Sequence, residues 1–257
     1  TKFEIRKGFF RVSRFEFRIL AICYDYGMPL KEELDKFLEG DVLDDSETIK
    51  KYSRDASLFE VAPKVVVYPK NVEDVKKLVR FAESSGNKIF LTPRSAGTDM
   101  TGGPLGESVI MDFTKNMKRF LEMGEGYAVA EPGIYYRDFE RETLTRGYIL
   151  PSYPASREIC ALGGMVANNS GGEKTLAYGK TDNYVFKLRA VLADGREYEF
   201  FPLDRAGLDK KMSQPDFEGD IYRKVYKLVE ENYDAIKAAR PKVSKNSAGY
   251  ALWDVWN

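Results

Sequence analysis

The stretch Val65-Val66-Val67-Tyr68-Pro69-Lys70-Asn71-Val72-Glu73-Asp74-Val75-Lys76-Lys77-Leu78-Val79 decides the architecture. Val65 to Tyr68 is apolar at every position, which predicts a strand buried on both faces, and Pro69 stops it. Asn71 with Asp74 three positions on is close to a capping box, with Asp where Glu or Gln is usual. It opens a predicted helix whose Val72, Val75, Leu78, Val79 and Ala82 share one face, and Gly86 closes it. Lys88-Ile89-Phe90-Leu91 is the next predicted strand. Strand, helix, strand makes a βαβ unit, expected to be right-handed.

Working outward, Lys31 to Gly40 reads as a short helix with Gly40 as its C′ residue, and Asp44-Asp45-Ser46-Glu47 caps a second one. Further strands are expected at Val109–Asp112 and Tyr127–Glu131, and a helix from Ile134 to Arg146 that ends at Gly147. Residues 154–183 hold no clear strand. Phe186, Leu188, Ala190 and Leu192 then alternate with Lys187, Arg189 and Val191. Asp194-Gly195 turns the chain, and Tyr198 and Phe200 return, which predicts a hairpin. A polar loop at 204–219 leads into a helix carrying Ile221, Val225, Leu228 and Ile236.

The chain has 257 residues, 43% hydrophobic and 31% charged, with 40 basic against 40 acidic residues. That composition excludes disorder, and its zero net charge argues against nucleic acid as a partner. Two cysteines, Cys23 and Cys160, make neither a disulfide scaffold nor a four-thiolate metal site. The absence of histidine rules out a histidine base, a histidine metal ligand and a flavin attached through imidazole. No apolar run approaches the ~18 residues of a membrane span. Residues 1–20 interleave Lys2, Arg6, Lys7, Arg11, Arg14 and Arg18 with Phe3, Phe9, Phe10, Phe15 and Phe17. They read as a basic segment for an anionic membrane surface, as an extension packed on the domain, or as a barely ordered sequence.

Two segments carry candidate chemistry. Pro93-Arg94-Ser95-Ala96-Gly97-Thr98-Asp99-Met100-Thr101-Gly102-Gly103 follows a strand. Its small residues suit a nest of main-chain N–H groups around an anion, with hydroxyls from Ser95, Thr98 and Thr101 and charge from Arg94. It is neither a Walker loop nor a GxGxxG fingerprint, and a surface loop without a ligand has the same composition. The second segment is Pro154-Ala-Ser-Arg-Glu-Ile-Cys160-Ala-Leu-Gly-Gly-Met-Val-Ala-Asn-Asn-Ser-Gly-Gly172. It reads as backbone pressed against a ligand, with the amides of Asn168 and Asn169 at a heteroaromatic edge, or as tight packing of a glycine-rich turn.

In order and spacing, these segments resemble the FAD-linked oxidases of the vanillyl-alcohol oxidase and para-cresol methylhydroxylase type, closest to the glycolate oxidase-like and D-lactate dehydrogenase-like proteins. The marks are Pro63–Pro69, Pro93–Gly103 (the family's P-R-G-G-G-T-S-L-T-G-G) and Glu131-Pro132-Gly133. Further marks are Cys160-Ala-Leu-Gly-Gly-Met, Ala167-Asn-Asn-Ser-Gly-Gly, Tyr178-Gly-Lys-Thr-Asp and Val191-Leu-Ala-Asp-Gly. The resemblance implies an α+β fold of two subdomains with FAD between them. Here these fall at about 43–130 and 131–257, behind an N-terminal extension and short helix at 1–42. It assigns the pyrophosphate to Arg94, Ser95, Ala96, Gly97, Thr98, Asp99, Thr101 and Gly102. It assigns the ribityl chain and ring system to Pro154, Ser156, Gly163, Gly164, Ala167 and Asn168.

The implied activity is oxidation of a 2-hydroxy acid, D-lactate- or glycolate-like, by hydride transfer to noncovalent FAD. An iron–sulfur protein or a quinone would accept the electrons. Implied location is the cytoplasm, with any membrane contact peripheral, on the inner face. The family's C-terminal cap domain, which carries the base and carboxylate-binding groups in relatives, is expected to be absent, as the chain stops soon after Lys245–Leu252, with Trp253 and Trp256 exposed. A noncatalytic flavin-binding subunit is therefore the alternative, and no catalytic residue is assigned. Asp99 and Glu173 are read as solvated or structural. Two departures stand out: Ser95-Ala96 replaces two glycines, so either those positions lack positive φ or the loop is strained, and Ala161 replaces a frequent threonine.

Overall fold

The computed structural model describes residues 28–243, 246 and 250–255. The basic segment 1–20, Cys23, Trp256 and half of the motif Lys245–Leu252 lie outside them. In chain order the first elements are α1 (Leu30–Asp35), β1 (Asp41–Leu43), α2 (Ser46–Tyr52), β2 (Val65–Tyr68), α3 (Val72–Ser84), β3 (Leu91–Arg94) and β4 (Val109–Asp112). There follow β5 (Phe120–Met123), β6 (Ala128–Ala130), α4 (Tyr136–Leu144), α5 (Leu162–Ala167) and α6 (Thr175–Tyr178). The last are β7 (Leu188–Val191), β8 (Glu197–Phe200), α7 (Arg205–Met212), α8 (Phe217–Glu231) and α9 (Tyr233–Ala238). The architecture is α+β.

The first sheet has the order β1-β2-β4-β3. β1 runs antiparallel to β2, while β2, β4 and β3 are parallel. β4 therefore sits between the two strands that α3 connects. Every residue of β2 and β4 is buried, which is why neither alternates. Val65, Val67, Val109 and Met111 point to one face, where Leu34 of α1 and Leu78 of α3 cover them. Val66, Tyr68 and Ile110 point to the other, against Tyr52 of α2. Each aliphatic side chain so buried contributes about 1.5–3 kcal/mol. A separate core joins Tyr136, Tyr153, Cys160 and Met165. The pairs β5–β6 and β7–β8 form two small antiparallel sheets.

Several boundaries differ from expectation. α1 ends at Asp35; Gly40 instead enters β1, where a Cβ would stand 2.1 Å from the Tyr68 carbonyl oxygen. β3 begins at Leu91 rather than Lys88. Gly86 and Asn87 take positive φ, and the Ser85 hydroxyl accepts the Ile89 N–H, so 85–90 is held as the exit from α3. Pro93 lies within β3, where its missing N–H is tolerated because β3 is an edge strand. β6 is shorter than the predicted strand and pairs with β5, which periodicity did not reveal. α4 is shorter at both ends, and Gly147 (φ +76°) lies beyond it. The polar 204–219 region contains α7, capped by Asp204. Ile236 belongs to α9, separated from α8 at Asn232. Trp253 is half-buried in a 3₁₀ turn at Leu252–Asp254.

Asn71 caps α3 by accepting the N–H groups of Glu73 and Asp74. Asp74 does not complete the box. Its fully buried carboxylate accepts the N–H groups of Glu39, Gly40 and Lys70, tying the α1–β1 turn to the end of β2. Asp74→Ala would leave three donors without their acceptor, and is expected to cost roughly 2–4 kcal/mol in urea unfolding.

Candidate functional site

The site begins where β3 and β4 end. Tyr52, last residue of α2, donates its hydroxyl to the Asp112 carboxylate at the end of β4. Burial first, and the Asp112 acceptor second, push the Tyr52 pKa far up, so the hydroxyl remains a donor. Arg94, last residue of β3, stacks over the Tyr52 ring at 5.0 Å. It donates to the Tyr52 carbonyl at 3.4 Å and the Arg54 carbonyl at 2.8 Å. Burial lowers its pKa, with Tyr52, Asp112 and Asp55 acting the other way. The guanidinium thus braces the neighbouring loop, a role the sequence did not suggest.

The loop after Arg94 is unstrained. Outside glycine, only Asn87 and Asn169 have positive φ among the described residues, so Ser95 and Ala96 occupy ordinary conformations. The positive-φ positions fall on Gly97 (φ +68°) and Gly102 (φ +88°), where glycine is kept. Asp99 locks the far half of the loop. Its Oδ2 accepts the Thr101 N–H at 3.0 Å, the Thr101 hydroxyl at 2.6 Å and the Gly103 N–H at 2.9 Å. Burial acts to raise the Asp99 pKa, but these donors outweigh it and hold the group below its usual range. The near half is different. The N–H groups of Ser95, Ala96, Gly97 and Thr98 donate to no acceptor among the described residues. Four successive half-buried residues thus carry N–H donors without acceptors, a run of the kind that suits an anion cradle.

The second segment arrives beside this cradle through a set of backbone ties. Leu162 N–H donates to Ile134, Gly163 N–H to Pro132 and Tyr136 N–H to Cys160. The Glu131-Pro132-Gly133 motif therefore holds the start of α5. Gly164 meets the first loop directly: a Cβ there would stand 2.6 Å from Ser95 Oγ. Its N–H also has no acceptor among the described residues.

The other small residues divide into two groups. Gly163 lies against Pro132, and Gly172 passes over the Tyr153 carbonyl and Pro154, so tight packing accounts for both. The Ser156 carbonyl accepts the Ile159 and Cys160 N–H groups in a turn. Ala167 and Asn168 are exposed. Asn169 is already engaged, donating to the Asp182 carboxylate and accepting the Asp182 N–H, so the two amides do not act as a pair. Glu173 accepts the Tyr153 hydroxyl. Among the described residues no cluster of His, Cys, Asp or Glu could hold a metal ion, and no helix is long and apolar enough to cross a membrane.

The partners of the cradle at 52–60 escaped the sequence reading. Ala56 N–H donates to the Asp99 carbonyl, and Phe59 lies where a Cβ on Gly102 would stand, 2.9 Å from that ring. Tyr52 and Asp112 are too far apart in sequence for a local signal to link them.

Two outcomes follow. Asp99→Ala would release three donors and is expected to cost about 1–2 kcal/mol in urea unfolding. Burial pushes the Cys160 thiol up to about 11. In a Cys23→Ser chain, thiol reagents at pH 8 should label Cys160 only after denaturation. Between about pH 8.5 and 11 the unfolded thiol ionises while the folded one keeps its proton, so this group's contribution to stability falls as pH rises.

A family profile described as an FAD binding domain matches residues 63–200. D-2-hydroxyglutarate dehydrogenase of Pantoea ananatis is 29% identical over 208 residues, covering 80% of this chain and 20% of that protein. Glycolate oxidase subunit GlcD of Bacillus subtilis is 32% identical over 172 residues, covering 65% of this chain and 36% of the relative. The chain thus spans about a fifth of the first relative's length. Among solved structures, alkyldihydroxyacetonephosphate synthase superposes with a TM-score of 0.60 at 24% identity, covering 76% of this chain and 37% of that one. A cradle of free N–H donors fits the diphosphate of a dinucleotide. With the profile spanning more than half of the chain, the protein belongs to the FAD binding domain family and has the para-cresol methylhydroxylase-type fold.

Proposed function

We propose that the chain is the FAD-binding part of an oxidoreductase acting on a 2-hydroxy acid of the D-lactate or glycolate type. The observation that carries this reading is the run of four unpaired N–H groups at Ser95–Thr98 beside the Gly164 backbone. The names of the relatives supply the substrate class. When bound, FAD supplies a two-electron acceptor for the substrate's α-hydrogen. The residues of the chain bind and orient it. Ser95, Ala96, Gly97 and Thr98 face the diphosphate, Arg94 braces them from behind, and Asp99, Thr101 and Gly102 fix the return of the loop. Pro154, Ser156, Gly163, Gly164, Ala167 and Asn168 line the ribityl and ring side, Gly163 by bringing α5 close and Asn168 with a free amide.

On this reading, subdomains at about 43–130 and 131–257 flank the cofactor. Binding is noncovalent: the sequence offers no imidazole, and Cys160 is buried as a thiol. An iron–sulfur protein or a quinone takes the electrons. The setting is cytoplasmic, with any membrane contact peripheral through basic residues 1–20. A second reading, a flavin-binding subunit without its own catalysis, is favoured by the engagement of both Asp99 and Glu173 in internal hydrogen bonds.

Purified protein should show flavin absorbance near ~375 and ~450 nm, released into the supernatant by acid. Anaerobic addition of D-lactate, glycolate or D-2-hydroxyglutarate should then bleach the ~450 nm band. Bound flavin that no 2-hydroxy acid bleaches would favour the second reading. A colourless chain that takes up no added FAD would overturn both.

A further inference from the structure

Apart from the loops at 93–103 and 154–172, a groove of about 610 Å³ opens between α7 and the chain that leads into it. Phe201, Leu203, Gly207, Lys210, Lys211 and Gln214 line it. The last four follow helical spacing, so they share one face of α7 and the turn after it. A Cβ on Gly207 would stand 3.3 Å from the Leu203 side chain, so glycine there lets the incoming chain lie close along the helix. The volume is that of a small-molecule site.

Two polar groups of the groove are spoken for, and two are not. Asp204 at its rim accepts the Gly207 N–H at 2.7 Å as the cap of α7. Lys211 pairs with Glu218 of α8 and lies 5.8 Å from the Tyr222 ring centroid. Lys210 pairs with no acid among the described residues. The main chain of Gln214 is bonded at both ends: its N–H donates to the Lys211 carbonyl and its carbonyl accepts the Arg223 guanidinium. Its side-chain amide has no partner among the described residues, and Oε1 is buried. A buried amide oxygen without a donor is unfavourable, and an apolar residue would avoid that cost. The fold therefore keeps a costly acceptor beside an unneutralised cation, over the apolar floor of Phe201 and Leu203.

We infer that this groove binds a small carboxylic acid with an apolar body and an N–H or O–H donor near its carboxylate. The carboxylate meets Lys210, the donor meets Gln214 Oε1, and the body rests on Phe201 and Leu203. Lys210 and Gln214 stand one turn apart, so one small molecule spans both. No partner holds the Gln214 amide, and rotation about χ3 turns its oxygen from the interior to the groove. The inference does not rest on the flavin reading.

The test is calorimetric titration of the full chain with N-acetylphenylalanine, which carries the acid, an amide N–H and an apolar ring, and no hydroxyl for a flavin to oxidise. Saturable binding is expected, and weaker binding of its methyl ester, which lacks the charge, and of hydrocinnamate, which lacks the donor. Lys210→Met should weaken binding about threefold, as for an exposed ion pair. Gln214→Leu should weaken it about fivefold, as for one hydrogen bond. The melting temperature of Gln214→Leu should stay level or rise, because the change removes an unpaired polar atom from the interior. Affinity should be the same with and without FAD. Absence of saturable binding, binding that neither variant weakens, or competition with FAD would overturn the inference. So would a melting temperature that falls in Gln214→Leu while binding is unchanged. If Gln214→Leu fails to fold, Lys210→Met and the two analogues decide.

Discussion

The Arg94 guanidinium is the constraint from which the rest of the site follows. Lying over the Tyr52 ring and donating to the carbonyls of Tyr52 and Arg54, it joins the end of β3 to the end of α2. Tyr52 in turn reaches Asp112 at the end of β4. One partly buried cation thus fixes three chain segments at the carboxyl ends of the parallel strands, the usual location of ligand sites in parallel sheets. Because its donors face main-chain oxygens, Arg94 shapes the loop, and on the proposed reading contact with the anion is left to the N–H groups.

That arrangement bears on how the proposed anion site forms in a loop with fewer glycines than the resembled motif. The resembled motif has glycines at 95 and 96, yet here those residues have ordinary φ, and only Gly97 and Gly102 require the left-handed region. Asp99 satisfies the donors of the returning half, leaving the leading half unpaired. The division is physical: donors that meet a protein acceptor set the loop's shape, and those that do not are available to a ligand. Gly164, against Ser95 Oγ, carries the second half of the protein up to the same point.

Much of the fold was legible because burial writes itself locally. The unbroken Val65–Tyr68 run marks a strand covered on both faces, and Asp194-Gly195 between alternating segments marks the β7–β8 hairpin. The start of β3 was misplaced since Lys88–Phe90 is as strand-like in composition as Leu91–Arg94. What separates them is the Ser85 hydroxyl and the turn at Asn87, which no hydrophobic period reports. At the site, the two small-residue segments were visible, but the jobs within them were not. Asn169 pairs with Asp182, Gly163 packs on Pro132 and Arg94 faces Tyr52. Each depends on a residue distant in sequence, and composition cannot tell a glycine that meets a ligand from one that meets a carbonyl.

On the proposed reading, the N–H groups of Ser95 to Thr98 hold the dinucleotide. Amide hydrogen exchange of the full chain, with and without FAD, addresses those four groups individually. Exchange at Ser95, Ala96, Gly97 and Thr98 should slow on FAD binding, while Thr101 and Gly103, already bonded to Asp99, change little. FAD that binds and leaves all four amides exchanging at their free rate would contradict the account.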